Sequence, residues 1–162
     1  MIRHSTSVIS LLFLFAAISA GSLWWIEVWF NQPGPLSKPR IVIIEKGVGA
    51  LDIAEILAAN NVVGSAHLFT ASVSLRKIQV SMKAGEYTFS ENVSPRRVVE
   101  KLTLGQSIVH KLTIPEGTNR FDIIQIIKNT DELDGPITDV PEEGWLLPET
   151  YHFPLGELRS TL

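Results

Sequence analysis

The chain has 162 residues, a formal net charge of −3, a hydrophobic content of 45% and no cysteine. This length suits one domain, or two small domains with an anchor. The charge excludes a broad basic surface for nucleic acid, and the lack of cysteine excludes disulfides and thiolate metal sites. We predict no metal and no cofactor, because the histidines are scattered without metal-ligand spacing: His4, His67, His110 and His152.

The N-terminal segment is an uncharged apolar run from Ser5 to Ile26. As an α-helix it would be about 33 Å long, enough to cross the hydrocarbon core of a bilayer. Its far end carries Trp24, Trp25 and Trp29, an arrangement typical of an interfacial aromatic belt. Arg3 precedes the run, so the positive-inside rule predicts a cytoplasmic N-terminus with the bulk of the chain across the membrane.

A cleaved signal peptide is the alternative, since the small residues at 17–20 resemble a cleavage site. The tryptophans beyond that point favour a retained anchor, because a soluble mature N-terminus would gain nothing from them. We therefore predict an anchor at residues 1–30 and a linker at 31–40, stiffened by Pro33, Gly34 and Pro35. Both alternatives place the remainder of the chain outside the cytoplasm.

Strand and helix patterns alternate in residues 41–108. The β-branched run at 41–44 predicts a strand, and apolar residues at helical spacing predict a helix at 50–59. Three more elements follow: a helix from the N-cap Ser65 to about Leu75, a strand at 85–89, and a helix that begins at Ser94-Pro95 and ends at Gly105. The predicted fold class is α+β, with these units following a transmembrane helix.

A second strand–glycine–helix segment begins at Lys111 and repeats the first in the same order and with the same internal spacing. The matching pairs are Ile44 and Ile114, Gly47 and Gly117, Asp52 and Asp122, Ile53 and Ile123, and Ile56 and Ile126. Such a pattern arises by duplication or by chance in an apolar periodic sequence, and we favour a shared local design. Two copies are too few for a solenoid.

The stretch at 142–151 places one acid, Glu143, beside a glycine turn and two aromatic residues, Trp145 and Tyr151. An apolar aromatic surrounding raises the pKa of a glutamic acid and lets it keep a proton for a leaving group. Sugar-cleaving enzymes use such an acid. The alternative is a surface turn at Glu143-Gly144, with residues 145–147 as a core strand that ends in a loop at Pro148.

Three other acids compete with or flank Glu143. Glu116 also precedes a glycine, but a carboxylate between a strand and a helix N-terminus stays ionised, which suits a structural role. Glu142 and Glu149 lie on either side of the candidate, and each would raise its pKa if the carboxylates were close in space.

The residues Glu143-Gly144-Trp145-Leu146 and Pro148-Glu149-Thr150-Tyr151 resemble the signature of the endolytic murein transglycosylases, the MltG or YceG-like family. Further matches are found at 83–87, Ser94-Pro95, Leu104-Gly105 and 114–117. The resemblance implies that Glu143 is the catalytic acid, with Trp145, Tyr151 and Glu149 as substrate-binding residues. The two aromatic residues either stack on sugar rings or pack to hold the loop of the acid.

For the fold, the resemblance implies a LysM-like subdomain at 41–108 and the N-terminal part of a catalytic domain at 109–162. Family members continue past the motif for about as long again, so it also implies a C-terminally truncated chain. For function, it implies non-hydrolytic cleavage of the β-1,4 bond between N-acetylmuramic acid and N-acetylglucosamine, which leaves 1,6-anhydro ends. The implied partners are peptidoglycan strands, the cytoplasmic membrane and peptidoglycan synthases. The alternative is a non-catalytic, membrane-anchored peptidoglycan-binding or scaffold fragment.

Overall fold

The computed structural model describes residues 3–77, 82–137 and 146–161, and the side chains of the first helix from Leu11 onward. The fold is mixed α+β, as predicted. Its elements are α1 (Arg3–Asn31), β1 (Arg40–Ile44), α2 (Ala50–Ala59), α3 (Ala66–Leu75), β2 (Gly85–Phe89), α4 (Pro95–Leu104), β3 (Val109–Thr113), α5 (Arg120–Lys128), β4 (Leu133–Asp134), β5 (Thr150–Pro154), β6 (Glu157–Leu158) and a 3₁₀ turn (Arg159–Thr161).

Helix α1 contains the predicted apolar run. Within the described residues, the segment Leu11–Asn31 is the one helix long and apolar enough to cross a membrane, with a mean hydropathy of 1.8 and none of that window buried in the protein. Length and composition suit a membrane anchor, and a signal sequence near an N-terminus has the same properties.

The C-terminal end of α1 is docked on the following domain. Phe30 is 2% exposed and belongs to the first hydrophobic core, and Trp29 packs against that core. Trp29 therefore contacts the protein, unlike the exposed Trp24 and Trp25 of the predicted aromatic belt. The guanidinium carbon of Arg76 lies 4.0 Å from the centre of the Phe30 ring, and Glu27 forms ion pairs with Arg76 and Arg96.

The segment between α1 and β1 is also packed rather than free. Leu36 is buried in the first core. The Gly34 N–H donates to the carbonyl of Val93 at 3.1 Å, and a Cβ on Gly34 would lie 2.3 Å from that oxygen. Only glycine permits this close backbone approach, so the predicted linker is held against the loop that precedes α4.

The first unit, β1 to α4, is built around an antiparallel pair of strands. Val42 of β1 lies opposite Tyr87 of β2, and both are buried while Ile41 and Ile43 face outward. This alternation follows the two-residue period of a strand. Helices α2, α3 and α4 cover the inner face with their apolar sides.

The predicted helix ends in this unit are confirmed. The Ser65 hydroxyl accepts a hydrogen bond from Leu68 N, and the Ser94 hydroxyl accepts one from Arg97 N. Gly105 follows α4 with a φ of 70°. Each of these residues satisfies backbone groups that a helix terminus leaves unpaired.

The second unit, β3 to the 3₁₀ turn, has a smaller core among its described residues. Strands β3 and β5 pair antiparallel, and β4 pairs parallel with β6. Leu112, Ile123 and Phe153 are among the buried residues that α5 and these strands bring together. Arg159 closes the unit, because its guanidinium donates to the carbonyls of Ile127, Thr130 and Gly135 at 2.8 to 3.2 Å.

The strand–glycine–helix repeat corresponds to repeated geometry. Gly47 and Gly117 both adopt positive φ, 84° and 78°. Ile53 and Ile123 are both buried, on the first turns of α2 and α5. The shared local design that the sequence indicates is therefore present in the structure of both units.

Candidate active site

The predicted acid lies outside the described residues. Glu142, Glu143, Gly144 and Trp145 belong to the segment 138–145, which the structure does not describe. The catalytic assignment of Glu143 and the substrate-binding assignment of Trp145 therefore remain predictions. The described part of the motif begins at Leu146.

The second half of the motif is fixed by its pairing with β3. Ile114 N donates to the carbonyl of Glu149 at 3.0 Å, and the hydroxyls of Thr113 and Thr150 are 2.9 Å apart. The Glu149 side chain is exposed. The sheet thus holds the Glu149 backbone while its carboxylate remains open to solvent.

The Tyr151 phenol closes the turn that leads into β5. Its oxygen accepts a hydrogen bond from Leu147 N at 3.0 Å and donates one to Leu147 O at 3.1 Å. Leu146 and Tyr151 both pack against the second core. These contacts hold the loop just after the predicted acid, which is one of the two roles that the sequence leaves open. Stacking on a sugar ring remains a prediction.

Tyr151 has a structural counterpart in the first unit. Tyr87 lies opposite Val42 and Tyr151 lies opposite Leu112, and positions 42 and 112 correspond in the strand–glycine–helix repeat. The Tyr87 hydroxyl donates to the carbonyl of Lys83, four residues earlier, at 2.8 Å. Both returning strands therefore use a tyrosine to close the turn that precedes them.

The two tyrosines differ in their surroundings. Tyr87 is fully buried, and burial raises the pKa of its phenol because the charged form loses its hydration. Tyr151 is partly exposed. The first clamp is thus part of a closed core, whereas the second lies at the surface, where a ligand has access to it.

The rival acid Glu116 lies at the same end of the β3–β5 pair as Glu149, because it follows β3 by three residues. Its side chain is exposed. The N-terminus of α5 is capped by another residue: the Asn119 side-chain oxygen accepts hydrogen bonds from Phe121 N and Asp122 N. Glu116 is therefore not the cap of α5.

A cleft of about 380 Å³ lies between the two units. Lys46 spans it by donating a hydrogen bond to the Gly156 carbonyl at 2.6 Å, and Asp134 contributes a carboxylate to its lining. Gly156 follows the Pro154 end of β5, whereas the Tyr151 turn precedes the opposite end. The cleft is therefore separate from the described part of the motif.

A histidine joins the two units, which the sequence did not predict. His110 Nε2 is 2.9 Å from Glu86 Oε2, and Ile108 N donates to the Glu86 carbonyl at 2.7 Å. Glu132 lies 3.9 Å from the other ring nitrogen. In the described segments no three His, Asp or Glu side chains form a cluster that would hold a metal ion.

The comparisons with known proteins agree with the motif. The model of the YceG-like family matches residues 42–162. The chain belongs to the YceG-like family. No curated protein matches it.

A structural relative is the yceG-like protein lmo1499 from Listeria monocytogenes, which is 25% identical with a TM-score of 0.47. The match covers 72% of this chain and 48% of that protein, so the chain spans about half the length of this relative. The YceG-like match begins within β1 and includes both units and the whole 142–151 motif, while α1 precedes it.

Proposed function

We propose that this YceG-like chain is a membrane-anchored endolytic peptidoglycan transglycosylase, with Glu143 as its catalytic acid and base. The observation that carries the proposal is the family match across 42–162, which includes the Glu143–Tyr151 motif. The YceG-like family is a murein transglycosylase family, and the described half of the motif forms a fixed turn and strand beside an accessible surface.

The chemistry needs one carboxyl group. Glu143 protonates the glycosidic oxygen, and the bond between that oxygen and C1 of N-acetylmuramic acid breaks. The resulting carboxylate then takes the proton of the sugar's own C6 hydroxyl, whose oxygen bonds to C1 and gives the 1,6-anhydro end. No water is consumed, so a second carboxylate that activates water, as in inverting hydrolysis, is not required.

The remaining motif residues would bind the glycan. Trp145 would supply an aromatic ring on which a sugar can stack. The Glu149 side chain is exposed, so its carboxylate can accept hydrogen bonds from sugar hydroxyls. The Tyr151 hydroxyl holds the turn, and because the residue is partly exposed its ring would also contact a sugar. The first unit would be the LysM-like subdomain. The same proposal includes peptidoglycan synthases as protein partners.

Helix α1 would be a single-pass anchor in the bacterial cytoplasmic membrane, with the N-terminus in the cytoplasm and both units outside. The exposed side chains of Trp24 and Trp25, which lie beyond the candidate cleavage site, support retention of this helix after export, because a soluble mature N-terminus would leave them in water. A cleavage near Ala20 would leave the docked turn in place but would remove most of the apolar run.

The test is to incubate the full chain in detergent micelles with purified glycan strands and to measure 1,6-anhydro ends by mass spectrometry. The wild type is expected to produce them, and Glu143→Gln is expected to abolish them. Glu142→Gln is the matched control, because it removes the neighbouring carboxylate and leaves Glu143 in place. Unchanged cleavage by Glu143→Gln would refute the assignment, and loss in Glu116→Gln alone would transfer the role to the rival acid.

A second candidate is a membrane-anchored module that binds peptidoglycan without cleaving it. The observation in its favour is that the first unit has a core of its own, to which the docked end of α1 contributes Phe30. This candidate predicts that the chain sediments with insoluble peptidoglycan and releases no product. Product formation by the wild type would exclude it.

A further inference from the structure

The ion-pair cluster at the end of α1 lies where the apolar run stops. Glu27 is the first charged residue after Ile26, and the neighbouring Trp24 and Trp25 side chains are exposed. Tryptophans concentrate at the headgroup level of a bilayer. If α1 is the anchor, Glu27 lies in that layer, and so do the two side chains that contact it.

Those two side chains are Arg76, at the C-terminus of α3, and Arg96, in the first turn of α4. Both pair with the single carboxylate of Glu27. Among the described residues, the ion pairs of this cluster join two guanidinium groups to one carboxylate, an excess of one positive charge. The cluster therefore has the charge to hold one further anion at this level.

The two arginines are not equivalent. Arg76 is 27% exposed, stacks on Phe30, and donates to the Ser72 carbonyl at 3.0 Å as well as to Glu27. Arg96 is 56% exposed, and within the described part of the chain it donates one side-chain hydrogen bond, to Glu27 at 2.9 Å. A guanidinium has five N–H donors in a planar fork that suits phosphate oxygens, so Arg96 is the open member of the pair.

We infer that the Arg76–Glu27–Arg96 cluster binds the phosphate of an anionic phospholipid headgroup, chiefly through Arg96, and so seats the first unit on the membrane surface. This rests on the membrane anchor of the proposed function. Charge complementarity identifies the occupant as lipid, since the anchor delivers the cluster to a layer dense in phosphates. The contact would add to the docking of α1 and hold the first unit against the membrane surface.

The consequence is a lipid preference that single substitutions change in opposite directions. The full chain in detergent micelles is titrated with phosphatidylglycerol or phosphatidylcholine, and retained lipids are counted by native mass spectrometry. An arginine that contacts an anionic headgroup contributes about a fivefold change in binding. Arg96→Gln is therefore expected to lower the preference for phosphatidylglycerol about fivefold.

The matched control is Arg97→Gln, which removes the same charge one residue along α4. The Arg97 side chain lines a groove with Thr88 and Lys101 instead of pairing with Glu27. This variant is expected to keep the wild-type preference. Glu27→Gln keeps both arginines and removes their competing carboxylate, so it is expected to raise the preference.

The opposite sign separates lipid binding from simple docking of α1. If the arginines served only to hold α1, Glu27→Gln and Arg96→Gln would act alike, and that result would overturn the inference. Equal losses in Arg96→Gln and Arg97→Gln, or no preference in the wild type, would overturn it as well.

Vesicle flotation tests the membrane anchor, and formation of 1,6-anhydro ends tests the enzymatic activity, so the two proposals can fail independently. Failure of the chain to float with phosphatidylglycerol vesicles would overturn the anchor together with the lipid contact. Formation of 1,6-anhydro ends in micelles would still support the transglycosylase in that case. Conversely, a chain that floats and shows the lipid preference but forms no product would retain the lipid contact and lose the enzymatic proposal.

Discussion

The two units start alike and then diverge. Each begins with a strand, a positive-φ glycine and a helix, and each ends its sheet with a tyrosine-clamped strand. In the first unit, α3, α4 and Phe30 complete the core between these parts. In the second, the described residues add the short β4–β6 pair, of which Leu133 is buried in the second core. The same strand–glycine–helix arrangement is thus part of a larger core in the first unit and of a smaller core in the second.

The returning strands show the functional side of this difference. Tyr87 and its turn are enclosed, so they contribute stability to the first unit. Tyr151 and its turn carry the family motif and remain partly exposed. At the position where the motif joins the sheet, the second unit therefore has an accessible tyrosine where the first unit has a buried one.

The largest effects on stability are expected from Ile53→Ala and Ile123→Ala. The two isoleucines occupy matching positions in α2 and α5. Truncation of a buried isoleucine costs about 2–5 kcal/mol. Ile53→Ala is expected near the upper end, because its core is larger, and Ile123→Ala near the lower end. Amide hydrogen exchange of α2 and α5 in the full chain measures both. Equal costs would contradict the proposed difference between the cores.

The glycine pair tests what the units share. Gly47→Ala and Gly117→Ala place a Cβ on a left-handed backbone, at a cost of roughly 1–2 kcal/mol. A Cβ at either position would meet no atom within 4 Å, so the cost is one of conformation alone and is expected to be the same in both units. Asparagine tolerates this conformation and serves as the control. A large inequality between the two alanine variants would show that the turns are not equivalent.

The sequence predicted α1, the helices and strands of the first unit, and β3 and α5 of the second unit, because their signals are local. Ser65, Ser94-Pro95 and Gly105 act within one helix turn, and the strand–glycine–helix repeat is visible because its spacing is constant. The strand at 85–89 was predicted, but its correspondence with β5 escaped detection, since Tyr87 and Tyr151 are closer together in sequence than the matching pairs of the repeat. An insertion or deletion between strands changes the spacing without altering the register in space.

The long-range contacts were beyond sequence reasoning for a related reason. His110 as a residue type does not indicate Glu86 as its partner. Phe30, at the end of the predicted anchor, does not indicate burial in the core of the following unit. The site was predicted as a motif, by resemblance. The structure adds that β3 holds its second half and that Tyr151 clamps it.

The helix caps are the point at which the two strand–glycine–helix segments differ in detail. Asn119 caps α5 with its side chain, whereas the N-cap of α2 is Gly49, which has no side chain to do so. Asn119→Ala is expected to cost about 1 kcal/mol, measured as loss of exchange protection in the first turn of α5. Asn119→Ser, which retains a capping oxygen, is the control. Loss of the same size in both variants would argue against capping as the cause.

The smallest expected effect on stability comes from the tyrosine pair, and it is the most informative for function. Tyr87→Phe removes a buried hydrogen bond and is expected to cost about 1 kcal/mol. Tyr151→Phe removes the contacts to Leu147 at a partly exposed site, so water replaces them and the cost is smaller. Exchange protection of the Leu147 amide reports the loss directly.

Tyr151→Phe also separates the two roles of the ring, because phenylalanine keeps an aromatic face but cannot hold the turn. If Tyr151 acts by clamping the loop after Glu143, formation of 1,6-anhydro ends falls together with Leu147 protection. If Tyr151 acts by stacking on sugar, Tyr151→Phe keeps the activity while exchange protection of the Leu147 amide falls. Tyr151→Leu, which has no aromatic ring, then abolishes the activity. Tyr87→Phe is the matched control, since it loses the equivalent hydrogen bond in the enclosed unit. Its activity should stay at the wild-type level if access at the second clamp is what the motif requires.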